Sequence, residues 1–188
     1  MNQNSSSVIS RRDFLQRSAL GITGAVLTSS LATAARAASN GKIPIGLQMY
    51  SLREQCKTDL PGMLKAVAKI GYKGVEFAGY HGRSATELRK MLDDNGLVAC
   101  GTHTPYESIL ADKLDETIEF NRIIGNKFLI VPWMTSKTKQ EWLDKAKLFN
   151  GVATTLGPQH MWVGYHAHAH DFEKFDGESA WDIFFGQT

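Results

Sequence analysis

The feature that most constrains the fold is a repeat, in which short apolar, β-prone runs alternate with longer segments of helical periodicity. The runs begin roughly 30 residues apart, which is the length of one strand, one helix and their connections. Five runs follow one another: Ile45–Tyr50, Gly74–Phe77, Leu97–Thr102, Phe128–Trp133 and Met161–Tyr165. Because they are almost continuously apolar, they predict the strands of a parallel α/β sheet covered on both faces.

The segments between the runs predict four amphipathic helices, each of which ends at a glycine. These glycines are Gly71, Gly96, Gly125 and Gly157. Ser84 followed by Glu87 is typical of a capping box at the start of the second helix. A doubly wound sheet and a barrel both fit this order of elements. No glycine-rich loop follows the first run, which disfavours a dinucleotide-binding domain.

The first 37 residues differ from the rest and predict an export signal. Arg11 and Arg12 precede a weakly apolar stretch and then Ala35-Arg36-Ala37, an order typical of a twin-arginine signal with a small-residue cleavage site. The alternative is an amphipathic or membrane-anchoring helix, but Gly, Ser and Thr dilute the stretch below the roughly 20 apolar residues of a membrane span. We therefore expect a signal peptide over residues 1–37 and a mature domain over 38–188. That domain would lie in the periplasm or outside the cell, with no stable membrane span after cleavage.

The charge of the predicted mature domain is balanced. The chain has 21 Lys and Arg against 19 Asp and Glu, and four Arg and one Asp fall in the first 37 residues, so 17 basic and 18 acidic residues remain. A nucleic-acid-binding protein usually carries a basic patch or stripe. We therefore expect no nucleic-acid partner.

Only two cysteines are present, Cys56 and Cys100. Their number and spacing exclude a disulfide-stapled miniprotein. One disulfide or two buried free thiols fit the sequence, and the thiols are the favoured interpretation.

Polar and aromatic side chains collect where the predicted strands end. In parallel α/β folds the ligand site lies at these carboxyl ends. The candidates are Gln48, Tyr50, Glu76, Tyr80, His81, His103, Trp133, His166, His168 and His170. The last three alternate along the sequence and would share one face if the fifth strand stayed extended through them. Imidazoles with nearby carboxylates are typical ligands of divalent metals, so the pattern predicts a metal or substrate site.

Each candidate also has a structural interpretation. The histidine run fits a polar strand exit with one ring inward and the others solvated. Glu76 fits a carboxylate bonded to backbone amides below a pocket, and His103 fits a hydrogen-bonded core histidine. The three aromatic residues are more typical of pocket walls than of catalysts.

Three segments, in this order and at this spacing, resemble the sugar phosphate isomerase/epimerase group of the xylose isomerase-like barrel superfamily. They are Ile45–Arg53, Gly74–Tyr80 and Gly164–His168, and the similarity continues through Glu178–Phe185. The resemblance covers residues 43–188. It implies a (β/α)8 TIM barrel with a divalent metal, Mn, Zn, Mg or Co, at the carboxyl-terminal mouth.

The chemistry implied by this resemblance is a proton shift beside the carbonyl of a sugar or keto-sugar. The metal polarises adjacent oxygens, a carboxylate takes the proton, and the enediolate is reprotonated. His166 lies nearest the family's fifth-strand metal ligand and is the predicted ligand here. We assign Glu76 and His103 as catalytic. The predicted substrate-binding residues are Gln48, Tyr50, Tyr80, His81, Trp133 and His168.

The length of the chain shapes the functional hypotheses. A complete barrel of this kind has about 250 residues, whereas residues 38–188 supply about five βα units. We expect the N-terminal part of a longer barrel, inactive alone, whose open sheet exposes two edges and one apolar face. One hypothesis is an exported, metal-dependent sugar isomerase, epimerase or related keto-sugar lyase. The other is a noncatalytic carbohydrate-binding or partner-dependent module, and an endonuclease is disfavoured by the balanced charge.

Overall fold

A five-stranded parallel sheet organises the part of the chain that the structure describes, residues 43–188 of a computed structural model. The predicted signal peptide lies outside the described residues. The strands are β1 (Gly46–Gln48), β2 (Gly74–Phe77), β3 (Val98–His103), β4 (Phe128–Val131) and β5 (Trp162–Tyr165). All five predicted strands are therefore present, although β1 and β4 end two residues earlier than predicted.

The order of the strands in the sheet is β1-β2-β3-β4-β5, and each strand is parallel to its neighbour. A doubly wound sheet would reverse this order at its centre. The sequential order is that of an arc of a (β/α)8 barrel, so the described residues form about five βα units of that fold.

Four long helices connect and follow the strands. They are α1 (Arg53–Ile70), α2 (Ala85–Asn95), α3 (Ala111–Ile124) and α4 (Lys139–Leu156). The predicted capping box starts α2, where the Ser84 hydroxyl accepts from Glu87 N–H and the Glu87 carboxylate accepts from Ser84 N–H. α1 to α3 end at left-handed glycines, as predicted.

The fourth helix also ends at its predicted glycine, since α4 stops at Leu156 and Gly157 caps it, but this glycine differs from the other three in conformation. Gly157 is right-handed and opens a 3-10 turn over Gly157–Gln159, and the left-handed residue is His160. Pro158 explains the difference, because its fixed φ suits a right-handed turn and carries the chain one turn further.

The two faces of the sheet are not equivalent. Side chains on the helix-facing side, such as Val75, Phe77 and Leu129, are fully buried in two apolar clusters. On the opposite side Val98 is 57% exposed and Trp162 is 52% exposed. The Trp162 ring stacks on the ring of Phe128. The expectation of an exposed apolar face therefore holds for residues 43–188, and the prediction that both faces are covered is wrong.

After β5 the chain forms a 3-10 turn, a short hairpin and a final helix. The hairpin strands are β6 (Lys174–Phe175) and β7 (Glu178–Ser179), the turn is Ala169–Phe172, and the helix is α5 (Ala180–Phe185). Among residues 43–188, none of the helices has the length and hydropathy to cross a membrane.

Both cysteines are free thiols. Cys56 is buried, whereas Cys100 lies on the exposed side of the sheet, where a Cβ at Gly46 would come within 2.6 Å of its sulfur. The expectation of two buried thiols is therefore right for Cys56 and wrong for Cys100.

Candidate functional site

A cavity of about 870 Å3 opens where the carboxyl ends of the strands meet. This volume falls within the usual range for small-molecule sites. The predicted site residues that line it are Gln48, Tyr50, Tyr80, His103, Trp133, His166 and His168. Ser51 and Ser108, which the sequence analysis did not single out, add hydroxyl groups. Three of the candidates, Glu76, His81 and His170, do not line it.

Glu76 lies behind His103, at the edge of the cavity. Its Oε1 is 3.1 Å from His103 Nε2, and the two side chains are 26% and 12% exposed. The hydrogen bond from His103 lowers the pKa of the Glu76 carboxyl, and it outweighs partial burial, which acts in the opposite direction. The carboxylate is therefore held in its ionised form next to the cavity.

Gln48 fixes the orientation of this pair. The backbone N–H of Tyr50 donates to Gln48 Oε1, so the amide nitrogen of Gln48 points toward the His103 ring. A carboxylate can only accept, so the proton of a neutral His103 is on Nε2, facing Glu76. Gln48 Nε2 lies 3.1 Å from the remaining acceptor, Nδ1, 2.8 Å from Nε2 and 3.5 Å from Glu76 Oε1, so its amide faces both the ring and the carboxylate. The result is one connected polar group of Gln48, His103 and Glu76, oriented by the Tyr50 N–H.

A glycine in the neighbouring strand makes room for the Glu76 carboxylate. The pairing of β2 with β3 shifts by one residue between Val75 and Glu76, which brings Gly101 opposite Glu76. A Cβ at Gly101 would lie 2.9 Å from Glu76 Cγ and 3.0 Å from Oε2. Only glycine leaves this space free.

The histidine run after β5 does not remain an extended strand. β5 ends at Tyr165, and His170 lies inside the 3-10 turn that follows. The rings still lie in series, with centroids 4.9 Å apart for His166 and His168 and 5.7 Å apart for His168 and His170. The prediction of one shared strand face is wrong because the turn redirects the chain, yet two of the three histidines reach the cavity.

The environment of His166 favours its neutral form. Partial burial lowers the pKa of His166, and the nearby His103 and His168 rings act in the same direction. The His103 and His166 rings meet edge to face at 5.2 Å. A neutral imidazole is able to accept a hydrogen bond or bind a metal.

Aromatic side chains form the walls of the cavity. Tyr80 stacks on Phe120 at 4.2 Å, its hydroxyl lies within hydrogen-bond distance of the Asn121 amide, and burial raises its pKa. Trp133 is exposed and packs against the rings of His168 and His170. These neutral rings offer apolar surface with polar edges, which suits a carbohydrate ring.

His81 lies apart from the other candidates. It is partly buried, adopts a left-handed conformation with φ of 51°, and forms part of the turn that precedes α2. Its role in substrate binding remains a prediction.

The side chains that are able to hold a metal ion together do not include His166, the predicted ligand. Among residues 43–188, the group of three potential ligands whose atoms lie within 4.8 Å of one another is His168, His170 and Asp171, and His166 is not in it. Asp171 was not among the predicted site residues. The signal was available, because Asp171 directly follows the histidine run.

The sequence matches no protein-family model and no curated protein. Solved structures do match. One described as a sugar phosphate isomerase/epimerase from Parabacteroides distasonis ATCC 8503 is 24% identical with a TM-score of 0.67, over 78% of this chain and 66% of that one. A second with the same description and organism is 20% identical with a TM-score of 0.65, over 80% of this chain and 66% of that one. An AP endonuclease, family 2, from Brucella melitensis is 13% identical with a TM-score of 0.54, over 65% of this chain and 55% of that one.

The two P. distasonis proteins carry the name of the group that the sequence resembles, and their likeness shows that residues 43–188 have the fold of part of a TIM barrel. The chain spans about two thirds of the length of the two P. distasonis proteins. Proteins with different described activities share the fold, so the choice of reaction depends on the residues of the site.

Proposed function

We propose that this chain belongs to a sugar isomerase or epimerase that moves a proton beside a carbonyl group. The observation that carries the proposal is the chain of hydrogen bonds from Gln48 through His103 to Glu76, which holds an ionised carboxylate beside a cavity walled by aromatic rings. A positioned carboxylate that accepts and returns a proton is the central requirement of this chemistry.

The divalent metal implied by the sequence resemblance does not fit the predicted position within the described residues. Among residues 43–188, His166 belongs to no group of three potential ligands whose atoms converge on one point. The steps below therefore use only side chains of this chain.

In the proposed reaction Glu76 removes the proton from the carbon next to the carbonyl. The C–H electron pair forms the double bond of an enediolate, and the charge moves to the former carbonyl oxygen. In an isomerase Glu76 then gives the proton to the former carbonyl carbon, while the adjacent hydroxyl passes its proton to the charged oxygen and becomes the new carbonyl. In an epimerase a water molecule on the opposite face gives a proton to the original carbon, the carbonyl re-forms, and Glu76 releases its proton to solvent. His103 donates through Nε2 to Glu76 and keeps its carboxyl group in place between the two transfers.

The remaining cavity residues bind the sugar. Ser51 and Ser108 offer hydroxyl groups to its oxygens, and the rings of Tyr50, Tyr80 and Trp133 cover its apolar faces. In residues 43–188 neither Lys nor Arg lines the cavity. Phosphate groups are usually bound by such cations or by helix N-termini, so we propose a free or oxidised sugar as the substrate.

The experiment that tests the function is deuterium exchange in D2O, followed by NMR, with a panel of free ketoses, aldoses and keto-sugars. We expect the protein to introduce deuterium at the carbon beside the carbonyl, and Glu76→Gln to abolish the exchange. Glu116→Gln, on the exposed surface of α3, is the matched control and should behave as the wild type. Saturable sugar binding without exchange would support the noncatalytic carbohydrate-binding module instead.

We also propose that the protein is exported by the twin-arginine route to the periplasm or beyond. Replacing Arg11 and Arg12 with Lys should retain the precursor in the cytoplasm, as measured by cell fractionation and the size of the product. Normal accumulation of the shortened protein outside the cytoplasm would contradict this proposal.

A further inference from the structure

The segment that follows β5 brings three metal-ligand side chains together beside the cavity. One ligand atom each from His168, His170 and Asp171 lies within 4.8 Å of the others. His168 also lines the cavity, so the group stands at its edge.

Asp171 is a buried carboxylate with a fixed orientation. It is 1% exposed, its Oδ1 accepts from the Tyr165 hydroxyl at 2.7 Å, and its Oδ2 accepts from the His168 N–H at 2.6 Å. Within residues 43–188 neither Lys nor Arg forms an ion pair with it. A buried carboxylate is costly unless it is paired or coordinates a metal, and the two hydrogen bonds leave further lone pairs on both oxygens.

The two histidines complete the donor group. Nδ1 of His168 is buried and has no hydrogen-bond partner, which is unusual for a native polar atom. Nε2 of His170 lies 2.8 Å from the Met134 carbonyl oxygen and 3.3 Å from Asp171 Oδ1. One histidine nitrogen is thus unsatisfied, and the other meets a carbonyl and a carboxylate.

We propose that His168, His170 and Asp171 bind a divalent transition-metal ion, and that His166 is not among its ligands. Two imidazoles and one carboxylate are a donor set suited to Zn2+, Co2+, Mn2+ or Fe2+. Three protein ligands leave a coordination position for water or a substrate oxygen, as in catalytic rather than structural sites. The inference deepens the proposed function by placing the metal next to the sugar cavity.

The spacing of the three ligand atoms suits one ion. Ligands about 2.0–2.2 Å from an ion lie at most about 4.4 Å from one another, and these atoms lie within 4.8 Å, so at most a small movement of the side chains is needed. His168 loses no hydrogen bond when it turns, and His170 exchanges its contact with the Met134 carbonyl for the ion. The Tyr165 hydroxyl and the His168 N–H remain on the carboxylate and orient it, in the manner of outer-shell partners in metal sites.

The test is a titration of the full chain, freed of metal by a chelator, with Co2+ followed by visible absorption and with Zn2+ followed by calorimetry. We expect one ion per chain and an intense Co2+ spectrum typical of low coordination number. His168→Ala, His170→Gln and Asp171→Asn should each weaken binding at least about 10-fold, the lower limit for loss of an outer-shell partner. Gln at position 170 is still able to donate to the Met134 carbonyl, so that variant keeps the local hydrogen bond.

Two further variants serve as controls. His160→Asn removes an exposed histidine whose left-handed conformation suits Asn, and it should leave binding unchanged. His166→Ala should also leave affinity and stoichiometry unchanged. Equal loss with His166→Ala and His170→Gln, or no stoichiometric binding by folded wild type, would overturn the inference.

The outcome is separable from that of the proposed function. Co2+ binding is measured without sugar, whereas proton exchange is measured with it. Exchange that depends on Glu76 without Co2+ binding would reject the metal site and keep the function. Stoichiometric Co2+ binding that depends on His170 and Asp171, without proton exchange on any sugar, would support the metal site and reject the proposed function.

Discussion

The two halves of the cavity differ in how completely their polar atoms are satisfied. On the β1 to β3 side, Gln48, His103 and Glu76 form a continuous set of hydrogen bonds. On the β5 side, Nδ1 of His168 is buried without a partner next to the buried Asp171. The polar atoms of the first side are paired with one another before any ligand binds. The second side has a buried nitrogen atom that is paired with nothing in the described residues. The difference agrees with the proposed division, in which the first side transfers a proton and the second side binds an ion.

The largest expected effect is a loss of proton exchange in the variant Gly101→Ala, on the β1 to β3 side of the cavity. The new methyl group would overlap Glu76 Cγ at 2.9 Å and push the carboxylate away from His103. Since a positioned general base contributes about 10²- to 10⁴-fold to a rate, we expect a loss of proton exchange in that range. The measurement is deuterium exchange with the best sugar of the panel. Gly151→Ala in α4, where nothing lies within 4 Å of the added Cβ, is the control and should keep full activity.

A smaller effect is expected on the β5 side from Tyr165→Phe. The hydroxyl is a donor to buried Asp171, and its loss leaves one carboxylate oxygen poorly satisfied. The expected cost is about 1–3 kcal/mol of unfolding free energy, measured by urea denaturation. Tyr106→Phe is the control, because that tyrosine is also partly buried but its hydroxyl bonds to no described side chain. Equal stability of the two variants would contradict the role given to the Tyr165 hydroxyl.

The smallest expected effect is a shift of the pH dependence of the rate when Gln48 is replaced. Because the pKa of Glu76 is lowered, its carboxylate contributes stability above the ordinary glutamate pKa, and this contribution is lost as pH falls through the lowered value. Gln48→Leu removes one of the hydrogen bonds that lower this pKa, so the acid side of the rate profile should move to higher pH.

The same Gln48→Leu variant should change the His103 ring. Without the Gln48 donor at Nδ1, the ring is no longer held in the Nε2–H tautomer, which 15N NMR of labelled histidine detects. An unchanged tautomer and an unchanged pH profile would show that Gln48 does not orient the pair.

Much of the fold was accessible from the sequence because it depends on local chemistry. The Ser84 and Glu87 capping box and the left-handed glycines after α1 to α3 follow from backbone requirements of helix ends. The strands were recognisable as apolar runs between these helices. The predicted fifth run ends at Tyr165, as β5 does, but the turn after it was not recognisable, because that turn depends on hydrogen bonds of Asp171 that no periodicity reveals.

The sequence predicted which residues reach the cavity better than it predicted how they are oriented there. The strand-end rule brought Gln48, His103 and His166 to one cavity. The amide orientation of Gln48 depends on the Tyr50 N–H, and the space for Glu76 depends on a register shift opposite Gly101. Both are tertiary details that a single sequence does not encode in any short pattern.

The sequential order of the strands also has a consequence for how the sheet is assembled. Within residues 43–188, each strand of the five-stranded sheet pairs only with the strands just before and after it in the chain. Each pairing therefore closes a loop of about 30 residues rather than one that spans the whole sheet, and a shorter loop loses less conformational entropy when it closes. A chain emerging from the ribosome is therefore able to add β2 to β1, β3 to β2 and so on, in the order in which they are synthesised.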